Sequence, residues 1–174
     1  AVTEKHLLLA RNLTDALSRY ATDSRSVFES AVASHNRHRF GPETEQLLRS
    51  VNIQGLARLG NIDQQPVPVT GDPQLFNRQL LNKLLPTIRR AAAHSQTTIY
   101  SAVIAEQLTQ PMLYLLYHGP EGTWIGAQDT RYFVELQQAI SFGNKGHAAI
   151  VDAEGKVLAH PKESWRQNAR NLSK

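Results

Sequence analysis

The chain has 174 residues, a formal net charge of +4, 41% hydrophobic residues and no cysteine. That length buries one core, or one core with an extended helix, and leaves too little for two full domains. Without cysteine, disulfides and thiolate chemistry are excluded, and a metal site would have to use His, Asp and Glu.

There is no run of about eighteen apolar residues and no basic-then-apolar leader at the N-terminus. The positive charge is dispersed, and the one tight cluster, His35-Asn36-Arg37-His38-Arg39, follows a long helical pattern and reads as a solvated helix end. Aromatic residues do not alternate with the basic ones, so no nucleic-acid partner is expected.

From 2 to 34 the chain contains no Gly or Pro, and Leu9, Leu13, Leu17, Tyr20, Val27, Phe28 and Ala31 recur at three-four spacing. This predicts one long helix, about 50 Å at 1.5 Å per residue, longer than the core of so small a domain. Gly41-Pro42 closes it and opens a short second helix over 43–49. The alternation in 51–59 predicts a half-buried strand, and 64–71, with two prolines, an extended segment. Asp72-Pro73 is a helix start, and Leu75, Phe76, Leu80, Leu81, Leu84 and Leu85 give that helix a broad apolar face. Pro86 is expected to kink or interrupt it, leaving a second helical stretch over 87–94.

Three short strands follow, at Ile99-Tyr100-Ser101, at 111–117 and at 122–129, joined by turn residues at 107–110 and 119–122. After a helical segment come two apolar runs, Ala149-Ile150-Val151 and Val157-Leu158-Ala159, joined by Asp152-Ala153-Glu154-Gly155 and stopped by Pro161. They read as a hairpin with Gly155 at a positive-φ position. The pattern predicts an α+β fold in which the strands from about 98 to 159 form one antiparallel sheet of five strands, or six with the early strand in 51–59, covered by helices.

The order of strand, strand, strand, helix and hairpin, with the ending Gly-x-x-x-x-Val-Asp-x-x-Gly-x-Val-Leu-Ala-His-Pro over Gly146 to Pro161, resembles a Cache domain, the PAS-like extracytoplasmic sensor module of bacterial transmembrane receptors. The resemblance implies a single sensor domain over 1–174. Residues 1–40 would be a long N-terminal helix on one face of a PAS-like five- to six-stranded antiparallel sheet, 50–161 the sheet-and-helix core, and 162–174 a C-terminal connector. It implies binding of a small-molecule metabolite on the periplasmic side of the inner membrane, with flanking membrane helices and an output domain such as a histidine kinase, a diguanylate cyclase or a chemoreceptor coiled coil. The long helix would offer a homodimer contact. No cofactor is implied.

The sequence has no Gly-rich phosphate loop, no Gly-x-Ser-x-Gly elbow and no His-Glu-x-x-His pair, so no enzymatic activity is expected of this chain. His118, His147 and His160 could converge as metal ligands, but a structural part for the His160-Pro161 pair is the reading preferred. Binding potential lies in alternate strand residues: Tyr100, Ala102, Ile104 and Glu106 on one strand, and Thr123, Ile125, Ala127 and Asp129 on another, with Tyr114 on the strand between. A ligand would sit between the face carrying Tyr100, Ile104 and Asp129 and the segment 75–90, because the long helix takes the other face. Within the resemblance, Asp129 stands at the binding aspartate of the amino-acid-binding members. Ile104 and Glu106 stand where a Tyr and an Asp are usual, and the Arg-x-Trp-Tyr segment has no counterpart in 75–94. Arg89 or Arg90 could anchor a carboxylate. Two other readings stay open: a ligand-free structural or dimerisation module, and an enzyme with an unfamiliar site.

Overall fold

The computed structural model describes residues 2–61, 63–94, 98–103, 111–141, 150–151 and 157–159. Its first element, α1, is a single helix over Val2–Asn36, as the unbroken three-four spacing predicts. It ends in a hydrogen-bonded stop. The N–H of Arg39 donates to the carbonyl of Ser34 at 2.8 Å and that of His38 to the carbonyl of His35 at 2.9 Å, with His38 at φ 57. This is a Schellman arrangement with histidine where glycine is usual, and it accounts for the basic cluster as a helix end.

Helix α2 spans Pro42–Ser50 with proline in its first turn. Asn52, at φ 60, then turns the chain into β1, Ile53–Leu59. Strand β2, Val67–Thr70, lies at the sheet edge with Val67 65% exposed and Pro68 also in solvent. The helix start expected at Asp72 is divided in two. Asp72 accepts from the Gln74 N–H to cap a one-turn 3-10 helix, Pro73–Phe76, and the Asn77 side chain then caps α3, Arg78–Ala93, by accepting from the Leu80 N–H at 2.9 Å.

Pro86 does not interrupt α3. It lies on the exposed side, and so does Asn82, whose carbonyl loses its helical donor. Water can serve that carbonyl, while Leu80, Leu81, Leu84 and Ile88 hold the buried side against the sheet.

The sheet is antiparallel and runs β2-β1-β5-β4-β3, with β3 at Ile99–Val103, β4 at Met112–Gly119 and β5 at Gly122–Asp129. Its body is the four longer strands β1, β5, β4 and β3, with the four-residue β2 outside β1. Gly122, at φ +115, makes the tight β4–β5 turn, where a side chain would also strike the Leu59 carbonyl. Helix α4, Arg131–Ser141, follows β5 directly.

The hairpin does not extend this sheet among the described residues. Strands β6, Ile150–Val151, and β7, Val157–Ala159, pair with each other as a separate ladder, and β7 lies beside α4. The early segment β1 takes the inner place beside β5 instead. It is buried along most of its seven residues, as an inner strand requires. Gly155, the turn glycine of the predicted hairpin, lies outside the described residues.

The two sheet faces carry separate cores. On one, α3 and Phe76 pack on Ala57, Leu59, Met112, Tyr114, Leu116, Ile125 and Ala127. On the other, the C-terminal half of α1 and α2 cover Ile53, Leu56, Leu115 and Trp124 through Phe28, Ala31, Val32 and Leu48. Phe28 comes so close that a Cβ on Gly126 would lie 2.9 Å from its ring. Further toward its N-terminus α1 meets α4, where Leu17 and Tyr20 pack with Leu113, Phe133 and Leu136. The length of α1 that exceeds the sheet is thus partly covered by α4.

Candidate functional site

Alternation along the strands assigns each position in the ladder to a face. Tyr114 is opposite Ala127 and Met112 opposite Asp129, so Tyr114 and Asp129 belong to the α3 side. Tyr100 is opposite Leu115, which is in the α1-side core, so Tyr100 occupies the other set of positions. The single face expected to carry both Tyr100 and Asp129 is therefore not formed. The register is set by the β3–β4 pairing, which strand composition alone does not specify. Ile104 and Glu106 lie outside the described residues, as do His147 and His160.

Tyr114 is fully buried and its hydroxyl donates to the Leu75 carbonyl at 2.7 Å, tying β4 to the turn before α3. Burial pushes its phenol pKa above the usual range. Arg89 is exposed on α3. His118 meets Thr123 across the β4–β5 turn, ring nitrogen to hydroxyl at 3.1 Å. Among the described residues no three His, Asp or Glu side chains stand close enough to hold a metal ion.

Asp129 is 8% exposed and lies where β5 gives way to α4. Its Oδ1 accepts from the Arg131 N–H at 2.7 Å, and its Oδ2 receives the Arg131 guanidinium at 3.1 Å. The carboxylate thus serves the free N–H groups and the positive dipole end of α4. Thr130 joins the same corner by donating to the Pro111 carbonyl at 2.8 Å.

One residue before Asp129 a dense polar cluster forms on the α1 side. Gln128 has no exposed surface, and its Nε2 lies 2.7 Å from Ser24 Oγ, 2.9 Å from the Val51 carbonyl and 3.2 Å from Tyr20 Oη. The Tyr20 hydroxyl donates to the same Val51 carbonyl at 2.8 Å and accepts from Asn52 Nδ2 at 3.0 Å. Ser24 donates to the Tyr20 carbonyl at 2.7 Å, and the Asp129 N–H donates to the Asn52 carbonyl at 2.8 Å. The Tyr20 ring stacks on Tyr132, centroids 4.1 Å apart, and meets the edge of Phe133 at 5.5 Å. Burial raises the Tyr20 phenol pKa. The hydrogen bonds from Asn52 and Gln128 oppose that shift, and the nearby Asp129 charge adds to it.

The cluster pins α1 to the junctions α2–β1 and β5–α4 through directional bonds. In sequence, Tyr20 counts as one more residue of an apolar stripe, and Gln128 as a polar residue in an apolar strand. The trace they leave is the Tyr20–Ser24 spacing of four on the face that is otherwise apolar. Comparison with protein-family models, with curated proteins and with solved structures finds no match to the chain. No described helix is long and apolar enough to cross a membrane.

Proposed function

We propose that the chain is a PAS-like sensor domain of the Cache type, a small-molecule-binding module of a bacterial membrane receptor on the extracytoplasmic side. The observation that carries this reading is the topology. An antiparallel sheet in the order β2-β1-β5-β4-β3, with a long N-terminal helix across one face and α3 on the other, suits what the PAS-like resemblance implies. A signal passing along α1 would also have its connection, since the cluster on Gln128 joins α1 to the strand that ends at Asp129.

The filled contact between α3 and the sheet favours a second reading, a ligand-free structural module of the same receptor. Tyr114, Leu84 and Ile88 occupy the space where a ligand was expected.

A thermal-shift screen against amino acids, short carboxylic acids, amines and purines separates the two. A ligand that binds only the folded chain raises its melting temperature, by the mass-action stabilisation of a native-state complex. A compound giving a concentration-dependent rise supports the sensor. A uniformly flat screen refutes binding to these classes and leaves the structural module.

A further inference from the structure

The basic residues are spread along the chain, but the acidic ones are not. No Asp or Glu occurs between Asp72 and Glu106, and the stretch 73–105 carries Arg78, Lys83, Arg89 and Arg90. The rest of the chain holds fifteen Lys or Arg against fifteen Asp or Glu, so the net charge of +4 belongs to this stretch alone. All four cations stand on α3.

Helix geometry gathers them on one side. Leu80, Leu81, Leu84 and Ile88 are buried toward the sheet, whereas Lys83, Arg89 and Arg90 are exposed and Arg78 is half-buried at the margin of that exposed side. With about 100° between successive residues, Arg78 and Arg89 fall on one flank of the exposed side and Lys83 and Arg90 on the other. Exposed Asn82, Pro86 and Ala93 lie between the flanks. From Arg78 to Arg90 the cations span about 18 Å of helix at 1.5 Å per residue. Arg78 donates to the main-chain carbonyl of Asp63 at 3.0 Å and Arg90 to the Thr87 hydroxyl at 3.2 Å, bonds to neutral acceptors that leave the charge in place.

We propose that the exposed side of α3 is a docking surface for an anionic lipid bilayer, held through headgroup phosphates. The face offers charge and little else. No aromatic residue occurs between Phe76 and Tyr100, so there is no platform on which a nucleic-acid base could stack. The large apolar side chains exposed among the described residues, Leu47 and Val67, are on other elements, so α3 presents no anchor of the kind that holds a protein partner. A convex row of cations suits a planar array of phosphates, where separate weak attractions add without a pocket. With no apolar group to insert, the contact is superficial and reversed by salt. This goes beyond the sensor reading and does not depend on its ligand.

The test is co-sedimentation of the whole chain with vesicles of equal parts phosphatidylglycerol and phosphatidylcholine, against vesicles of phosphatidylcholine alone. The expected result is binding to the anionic vesicles at low salt, its loss as salt is raised, and none to the neutral ones. Lys83→Gln and Arg89→Gln, one from each flank, should each weaken binding about fivefold. Arg37→Gln and Arg39→Gln, which remove the same charge from the exposed end of α1, should leave it unchanged. If an α3 variant does not fold, the wild-type salt series and the α1 variants decide alone. Equal losses from the α1 and α3 variants would assign the effect to net charge and overturn the surface. So would the absence of vesicle binding at low salt, or capture of duplex DNA or an acidic peptide in preference to the anionic vesicles.

Discussion

The two faces of the sheet are held in different ways. Against α3 the contact is apolar side chains almost throughout, with Tyr114 supplying one hydrogen bond to the Leu75 carbonyl. Against α1 an apolar patch around Phe28 and Trp124 is joined to a polar cluster in which Gln128, Tyr20, Ser24 and Asn52 each bond a group on another element or another turn. Apolar burial is non-directional and tolerates sliding, whereas a buried amide with three near neighbours fits one register. The α3 face therefore supplies adhesion, and the α1 face supplies adhesion together with a fixed position for the helix.

The largest effect should come from the component the faces share. Phe28→Ala empties a site with no exposure between α1 and Gly126, and should cost about 4 kcal/mol; Leu84→Ala on the α3 face should cost about 3 kcal/mol. Urea unfolding of both variants checks this, and near-equal losses would place the difference between the faces in the polar groups alone. Tyr20→Phe keeps the ring but takes the acceptor from the Asn52 amide and the hydroxyl donor from the Val51 carbonyl, while Gln128 keeps Ser24 and that carbonyl, at a cost of about 2 kcal/mol. Tyr114→Phe orphans a single carbonyl and should cost about 1 kcal/mol. Equal losses for the two tyrosines would erase the proposed contrast.

Asp129→Ala removes the partner of the Arg131 N–H at the start of α4 and should cost about 1 kcal/mol, read by the same unfolding curves. A larger loss in hydrogen-exchange protection within α4 than elsewhere would locate that effect at the helix end. The smallest effect at neutral pH is tyrosine ionisation. Both Tyr20 and Tyr114 have phenol pKa values raised above the ordinary 10.0, so the unfolded chain loses these protons first as pH rises. Stability is thus insensitive to these groups well below pH 10 and falls above it, and Tyr20→Phe should flatten part of that fall in alkaline unfolding.

Much of the secondary structure was legible because it rests on local periodicity. The three-four stripe of α1, the proline opening α2 and the runs of β4 and β5 all state their own conformation. Pairing was less legible. That β1 lies beside β5, and that β6 and β7 form a ladder of their own, depends on contacts distant in sequence. The shared face expected for Tyr100 and Asp129 failed for a related reason: one residue of register moves a side chain to the opposite face. The cluster on Gln128 was the least legible. Its bond to Ser24 spans 104 positions, and nothing near Gln128 in the chain announces a partner on the first helix. Asp129 was picked out by its place after Gly126 on β5, and the structure finds it at the head of α4, bonded to Arg131.

Strand β2 ends the sheet on one side with Val67 in solvent, an arrangement that would ordinarily invite another strand to continue the ladder. Pro68 stands next to it, opposite Ala57 of β1. Proline in a paired edge strand turns its donorless nitrogen outward, so an incoming chain meets a missing rung at the middle of a four-residue ladder. The sheet is closed to lateral growth there by the absence of a single proton, and molecules of this protein at high concentration should meet through some other surface.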